Sequence, residues 1–119
     1  MLEDAKAVQR AEELAEESIA LAVGTPTIFE LYVGVGLSVK SSEEQAKIID
    51  ALGSLTQLSL DGPSASRAGL IYAQKEREGH RIDPEDCMLA GIAIENQQPI
   101  LTRNRKDFSG IPGLKVETY

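Results

Sequence analysis

The chain has 119 residues, a formal net charge of −7 and only 4% aromatic residues. That length makes a single domain, residues 1–119, which buries about two-thirds of its unfolded surface and needs no disulfide to fold. The acidic balance excludes broad electrostatic wrapping of nucleic acid, and the scarcity of aromatics excludes a stacking platform for single strands, while a local basic rim around a site remains compatible with both. Cys87 is the single cysteine and cannot form an intrachain bridge, which fits a reducing, cytoplasmic setting. No apolar run approaches the ~18 residues of a membrane span, and no basic-then-apolar signal pattern opens the chain.

In chain order, residues 3–17 place Val8, Ala11, Leu14 and Ala15 on one helical face, with Glu12, Glu13, Glu16 and Glu17 covering the rest. Ile19 to Val23 is a short apolar run and reads as a strand. Gly24-Thr25-Pro26-Thr27 turns the chain into a second helix, Ile28 to Val35, which Gly34 and Gly36 are expected to weaken and end. Overlapping capping boxes in Ser41-Ser42-Glu43-Glu44-Gln45 open a third helix through Ala46, Ile49 and Leu52, closing at Gly53. Gln57 to Leu60 alternates as a strand does, and Asp61-Gly62-Pro63 is a turn. Ser64 or Ser66 then caps a helix on Ala68, Ile71 and Tyr72 that ends at Gly79.

The stretch from Ile82 to Phe108 is the most informative. Asp83 is a good N-cap, Pro84 suits the first helical position, and Glu85 and Asp86 bring negative charge to the first turn. Leu89, Ile92 and Ala93 recur at helical spacing. Pro99 precedes a short buried strand at Ile100-Leu101, which Thr102-Arg103-Asn104 closes with polar groups before Asp107 and Phe108. A loop at Gly110–Gly113 leads to a last strand, Leu114 to Glu117. Apolar strands separated by helices predict an α/β fold: a mostly parallel sheet with helices on both faces. The last strand follows its neighbour after a crossover too short for a full helix, and is expected to lie parallel through an irregular loop.

In such a sheet strands end and helices begin at one edge, so Glu30, Asp86 and Asp107 can converge in a crevice there. The two helix N-termini are expected to help keep Glu30 and Asp86 ionised. Clustered carboxylates repel unless a cation lies among them, and hard divalent ions take one or two carboxylates with several waters. Such an ion polarises a phosphodiester and activates water. Each acid also has an ordinary use: Glu30 completes a Thr27-x-x-Glu capping box, Asp86 is the N3 partner of Asp83, and Asp107 caps the turn before Gly110. Their joint placement at one edge favours a site. Glu85 is assigned to solvent or capping, His80 to an exposed loop and Cys87 to the core. Thr102 and Asn104 are candidates to position water or support the carboxylates. Among the basic residues Arg67, Arg81, Arg103, Arg105 and Lys106, Arg103 and Arg105 are the strongest phosphate contacts because they flank Asn104.

TPTIFELYVGV resembles the motif around the second acid of PIN-domain ribonucleases, and RIDPEDCMLAGIAIENQQPILTRNRKDFSGIPGLKVE resembles the C-terminal half of the VapC-type toxins of that family. Mapped by motif, the second acid is Glu30, the third Asp86 and the fourth Asp107, with Thr102 and Asn104 at polar positions of the last loop. The resemblance implies a metal-dependent endoribonuclease using Mg²⁺ or Mn²⁺, an RNA substrate, a homodimer and an inhibitory antitoxin. It also implies a first acid at the end of a central strand that precedes the first helix. This chain opens on Met1-Leu2-Glu3-Asp4, inside what should be that helix, so the usual first central strand is expected to be missing. A gap between the strands at Ile19–Val23 and Pro99–Thr102 would expose unpaired backbone. It is therefore expected to be filled by a rearranged strand, a symmetry mate or an exchanged element, with metal affinity and activity weakened by the absent acid. The alternative is a non-catalytic PIN-like module that binds protein or RNA.

Overall fold

The computed structural model describes residues 1–9 and 21–119. Its elements are α1 (Ala5–Gln9), β1 (Ala22–Gly24), α2 (Thr25–Leu37), α3 (Ser41–Gly53), β2 (Thr56–Leu58), α4 (Gly62–Arg77), α5 (Pro84–Glu95), β3 (Ile100–Thr102), α6 (Arg105–Phe108) and β4 (Val116–Thr118). The expected helical face at Ala11, Leu14 and Ala15, its glutamates, and the start of the first strand at Ile19 lie outside the described residues.

The sheet is parallel throughout. β1 pairs with β2, β3 pairs with β4, and Leu2 bridges Val23 on one side and Leu101 on the other. The order across the sheet is therefore β2, β1, Met1–Glu3, β3, β4. This corrects the expectation of a missing central strand: the gap is filled from within the chain, in the manner of a rearranged strand. Leu2 N donates to Ala22 O at 2.7 Å, Leu101 N to Met1 O at 2.8 Å, and Glu3 N to Leu101 O at 3.2 Å. Thr27 fixes the end of this segment by donating its hydroxyl to Glu3 O at 2.9 Å.

Successive residues of a strand point to opposite faces, and the two halves of the core follow that alternation. Leu2, Val23 and Leu101 face a layer formed with Ala7, Val8, Leu31, Val35, Ile48 and Leu52. Met1, Ala22 and Ile100 face the other way, onto Leu89, Ala90, Ile92 and Ala93 of α5. Helices α1, α2 and α3 thus cover one face, and α5, backed by α4, covers the other.

The local corrections have local causes. α2 begins at Thr25 with Pro26 in its first turn and runs through Gly34 and Gly36 to Leu37. Two glycines lower helix propensity, but burial of Leu31 and Val35 against the core outweighs that cost. The residue that caps α4 is Asp61, not a serine: its Oδ1 accepts from Ser64 N at 2.9 Å, which also holds its carboxyl below the usual aspartate range. Asp83 caps α5 as expected, accepting from Glu85 N at 2.9 Å. β4 lies parallel to β3 although the crossover is too short for a full helix, the route through an irregular loop that the sequence left open.

α4 and α5 pack closely because Gly91 has no side chain. A Cβ there would overlap Ser64 O and lie 3.2 Å from Ala68 Cβ. Gly91→Val is expected to wedge the helices apart and cost about 1–3 kcal/mol, read as a lower denaturant midpoint. An unchanged midpoint would mean that the pair has room this packing does not show.

Candidate active site

The carboxyl edge of the sheet gathers the acids. Glu3 has the same strand parity as Met1, so it points to the α5 face, where Thr102 lies beside it on the neighbouring strand. Thr102 Oγ1 donates to Glu3 Oε2 at 3.3 Å and accepts from Asn104 N at 2.9 Å. The threonine is fully buried, so it acts by fixing Glu3 and the turn into α6, and has no surface to offer a substrate. Asp4 has the opposite role. Its Oδ1 accepts from Ala7 N at 2.8 Å, at the start of α1, and from the Tyr119 hydroxyl at 3.3 Å. Sequence reasoning set Asp4 aside and did not single out Glu3, which lies at this edge. The signal that finds it is the Met1-Leu2-Glu3 alternation read together with Thr102.

Asp86 stands in the first turn of α5, half-buried. Burial, then the charges of Asp83, Asp107 and Glu30, raises its carboxyl to about 6. The helix N-terminus was expected to hold Asp86 ionised; desolvation and three like charges outweigh it. Glu3 is raised to about 8 by burial, then by Asp4 and Asp86, with the Thr102 hydroxyl opposing. Asp86 is thus within electrostatic range of Glu3, Glu30 and Asp107. Glu30 lies exposed in the second turn of α2, and the expected capping box does not form: the helix is capped by Gly24 without a side-chain bond, and Thr27 bonds Glu3 O instead. Asp107 lies exposed on α6, which the buried Phe108 anchors.

Glu85 departs from its assignment to solvent or capping. It is half-buried, its Oε1 has no hydrogen-bond partner, and burial followed by contact with Glu30 raises it to about 8. Of the proposed substrate contacts, Arg103 lies over the Tyr119 ring, 5.1 Å from its centroid, while Asn104 and Arg105 are exposed at the start of α6. Cys87 is buried and His80 exposed, as read from the sequence. A cavity of about 750 Å³ opens beside Asp86 and Asp107 and reaches the loop at the end of α4.

This topology has known counterparts. Residues 1–114 match the family model described as PIN domain. The chain belongs to the PIN-domain family. This PIN domain is 28% identical over 99 residues to the tRNA(fMet)-specific endonuclease VapC of Salmonella typhimurium, covering 83% of this chain and 75% of that protein. It is 27% identical over 107 residues to ribonuclease VapC2 of Rickettsia felis, covering 90% and 80%. Among solved structures, DNA-bound VapBC from Salmonella typhimurium superposes with a TM-score of 0.82 at 26% identity, covering 92% of this chain and 83% of that one.

The donor set of this PIN domain suits a hard cation. Every candidate ligand is a carboxylate, three of the acids are raised by burial and by one another, and Glu85 Oε1 is buried without a partner. Among the described residues no three acidic, histidine or cysteine side chains are grouped tightly enough to enclose an ion. A hard divalent ion that keeps several waters takes only one or two carboxylates directly.

Proposed function

We propose that this PIN domain is a divalent-metal-dependent endoribonuclease of the VapC type, hydrolysing RNA phosphodiesters. The observation that carries this reading is the lining of one cavity by Asp86 and Asp107, with Glu3 held by Thr102 at the carboxyl ends of the central strands. The relatives' names support it, since both are ribonucleases. Asp86 and Asp107 would hold Mg²⁺ or Mn²⁺, with Glu3 and Glu30 acting directly or through water. The ion supplies Lewis acidity at the phosphodiester. The protein's own part is to hold carboxylates at fixed positions: Asp83 starts α5 so that Asp86 faces the edge, Thr102 orients Glu3, and Asn104 is placed to hydrogen-bond water or phosphate. Arg103 and Arg105 flank it as phosphate contacts.

An antitoxin partner and a homodimer belong to the same reading, supported by the VapBC complexes among the similar structures and by exposed apolar residues on and after α2. Phe29, Leu37 and Val39 are 71%, 82% and 100% exposed. The cytoplasm, where RNA substrates are found, is the fitting location. The rival reading, a non-catalytic module, drew its force from an absent first acid; we propose Glu3, held by the Thr102 hydroxyl, for that place.

The test is cleavage of single-stranded RNA with Mn²⁺ or Mg²⁺ and with a chelator. Cleavage that requires the cation is expected. Robust cleavage in chelator would rule out the metal, and no cleavage under any cation would rule out the enzyme.

A further inference from the structure

α6 is too short to hold itself. Arg105–Phe108 make a single turn, and one turn orders more backbone than its own hydrogen bonds offset. Asn104 provides no side-chain cap, and the turn closes through Asp107 N to Asn104 O at 3.0 Å and Ser109 N to Lys106 O at 3.4 Å. The place of Asp107 is therefore set by what the segment touches outside itself. Thr102 Oγ1 holds its start by accepting from Asn104 N at 2.9 Å. Phe108 and Ile111 are buried in the layer shared with α5 and pin the segment to the core. Apolar burial has no direction, so these two anchors hold the segment down without fixing how the turn is rotated about its own axis.

Lys75 supplies the direction. It lies near the end of α4, and among the described residues it is the half-buried lysine where all others are exposed. Its Nζ donates to Ser109 O at 3.3 Å and to Gly110 O at 3.4 Å. These are long contacts, those of an ammonium seated over two carbonyl dipoles. Gly110 takes a φ of 75°, and a Cβ there would lie 3.2 Å from Nζ, so the loop fits closely around the ammonium. The lysine is itself held, because its carbonyl accepts from His80 N at 2.9 Å where α4 closes. A long, firmly packed helix thus fixes the far end of a turn that has little stability of its own.

We propose that Lys75 is a positioning residue for Asp107: by holding the carbonyls of Ser109 and Gly110 it sets the rotation of α6 and keeps that carboxylate at the cavity it shares with Asp86. The proposal rests on the reading of Asp107 as a metal ligand and differs in sign from a plain charge effect. Lys75 also lines this cavity, and a positive charge repels a cation, so by Coulomb's law alone its removal would tighten metal binding. Positioning requires the opposite.

Two measurements on the whole chain test it. The first is amide hydrogen exchange over residues 104–110 without metal, for wild type, Lys75→Met, Lys75→Arg and Lys47→Met. Methionine keeps the length and apolar stem of lysine and removes the charge. Lys47 is an exposed residue of α3 paired with Glu44 and controls for net charge. Lys75→Met is expected to exchange several-fold faster in this segment while the amides of α5 keep their protection, Lys75→Arg to retain most of the protection, and Lys47→Met to match wild type. The second is Mn²⁺ affinity by calorimetry for the same proteins, for Asp107→Asn and for the double variant. Lys75→Met is expected to bind Mn²⁺ about tenfold more weakly, the scale of losing a group that orients a ligand. In the Asp107→Asn background it is expected to change nothing further. Unchanged exchange in Lys75→Met, or Mn²⁺ affinity that is unchanged or tighter, would overturn the positioning role. An equal loss in the Asp107→Asn background would overturn it too, since Lys75 would then act by a route other than Asp107. If wild type binds no Mn²⁺, the metal reading fails and the positioning role falls with it, while faster exchange in Lys75→Met would still uphold the tie between α4 and α6.

Discussion

Asp86→Asn is expected to abolish RNA cleavage, lowering kcat by about a hundredfold or more while the fold survives. The substitution is nearly isosteric and removes only the charge. Asp86 is the acid that links the others: Asp107 and Glu30 both act on its carboxyl, and it acts on that of Glu3. Taking its charge away therefore weakens any shared ion more than loss of a peripheral acid would. It also relieves repulsion, so the metal-free protein should melt no lower than wild type. Cleavage at the wild-type rate by Asp86→Asn would place the chemistry elsewhere, whereas loss of cleavage with a collapsed melting transition would show only misfolding.

Glu3→Gln should separate stability from metal binding. A glutamate ordinarily titrates near 4.5, and in this fold Glu3 is raised to about 8, mainly by burial. Between those values the folded state binds more protons than the unfolded chain, so the Glu3 contribution to stability is fully present below 4.5 and is lost as pH rises through about 8. Asp86 adds loss of the same sign between 3.8 and about 6. The metal-free protein should therefore melt lower at pH 8 than at pH 5, and a divalent cation should reverse much of that fall. Glu3→Gln should flatten the pH dependence and raise Tm at pH 8. Glu3 is only half-buried, so solvent screening reduces the gain to roughly 1 kcal/mol, on the order of 5 °C. The same variant should bind Mn²⁺ more weakly by calorimetry. A variant with unchanged pH dependence and unchanged Mn²⁺ binding would return Glu3 to an ordinary strand residue.

The parts legible in the sequence are those that several residues write together. Asp83, Pro84 and the first-turn acids announce α5, and its boundary at Asp83 is where capping chemistry places it. Apolar pairs such as Ile100-Leu101 announce buried parallel strands, and the carboxyl edge follows from their order. Met1–Glu3 was illegible because three residues are too few to display a period, and Asp4 and Ala5 at once begin a helix. Its place in the sheet comes from backbone bonds to Ala22 and Leu101, partners that no local pattern reveals. Asp61 was hidden behind Gly62-Pro63, which reads as a turn although Pro63 in fact occupies the first turn of α4. Glu85 was misjudged for a related reason: a first-turn acid normally faces water, and only the approach of α2 brings Glu30 against it.

The central position of Met1–Glu3 also bears on how the chain reaches this fold. Glu3 and Thr102, which bond in the finished sheet, are 99 residues apart. During synthesis the segment emerges some hundred residues before its neighbour in β3. The β1–β2 half, with α2 and α3, can assemble from shorter-range contacts, but the middle of the sheet closes only when β3 is available. Such closure is slow relative to local helix formation, because loop entropy is lost before the long-range contacts are gained. Until then Leu2 and Val23 remain open to the wrong edges, and the vulnerable period of this fold is the interval before its central segment meets β3.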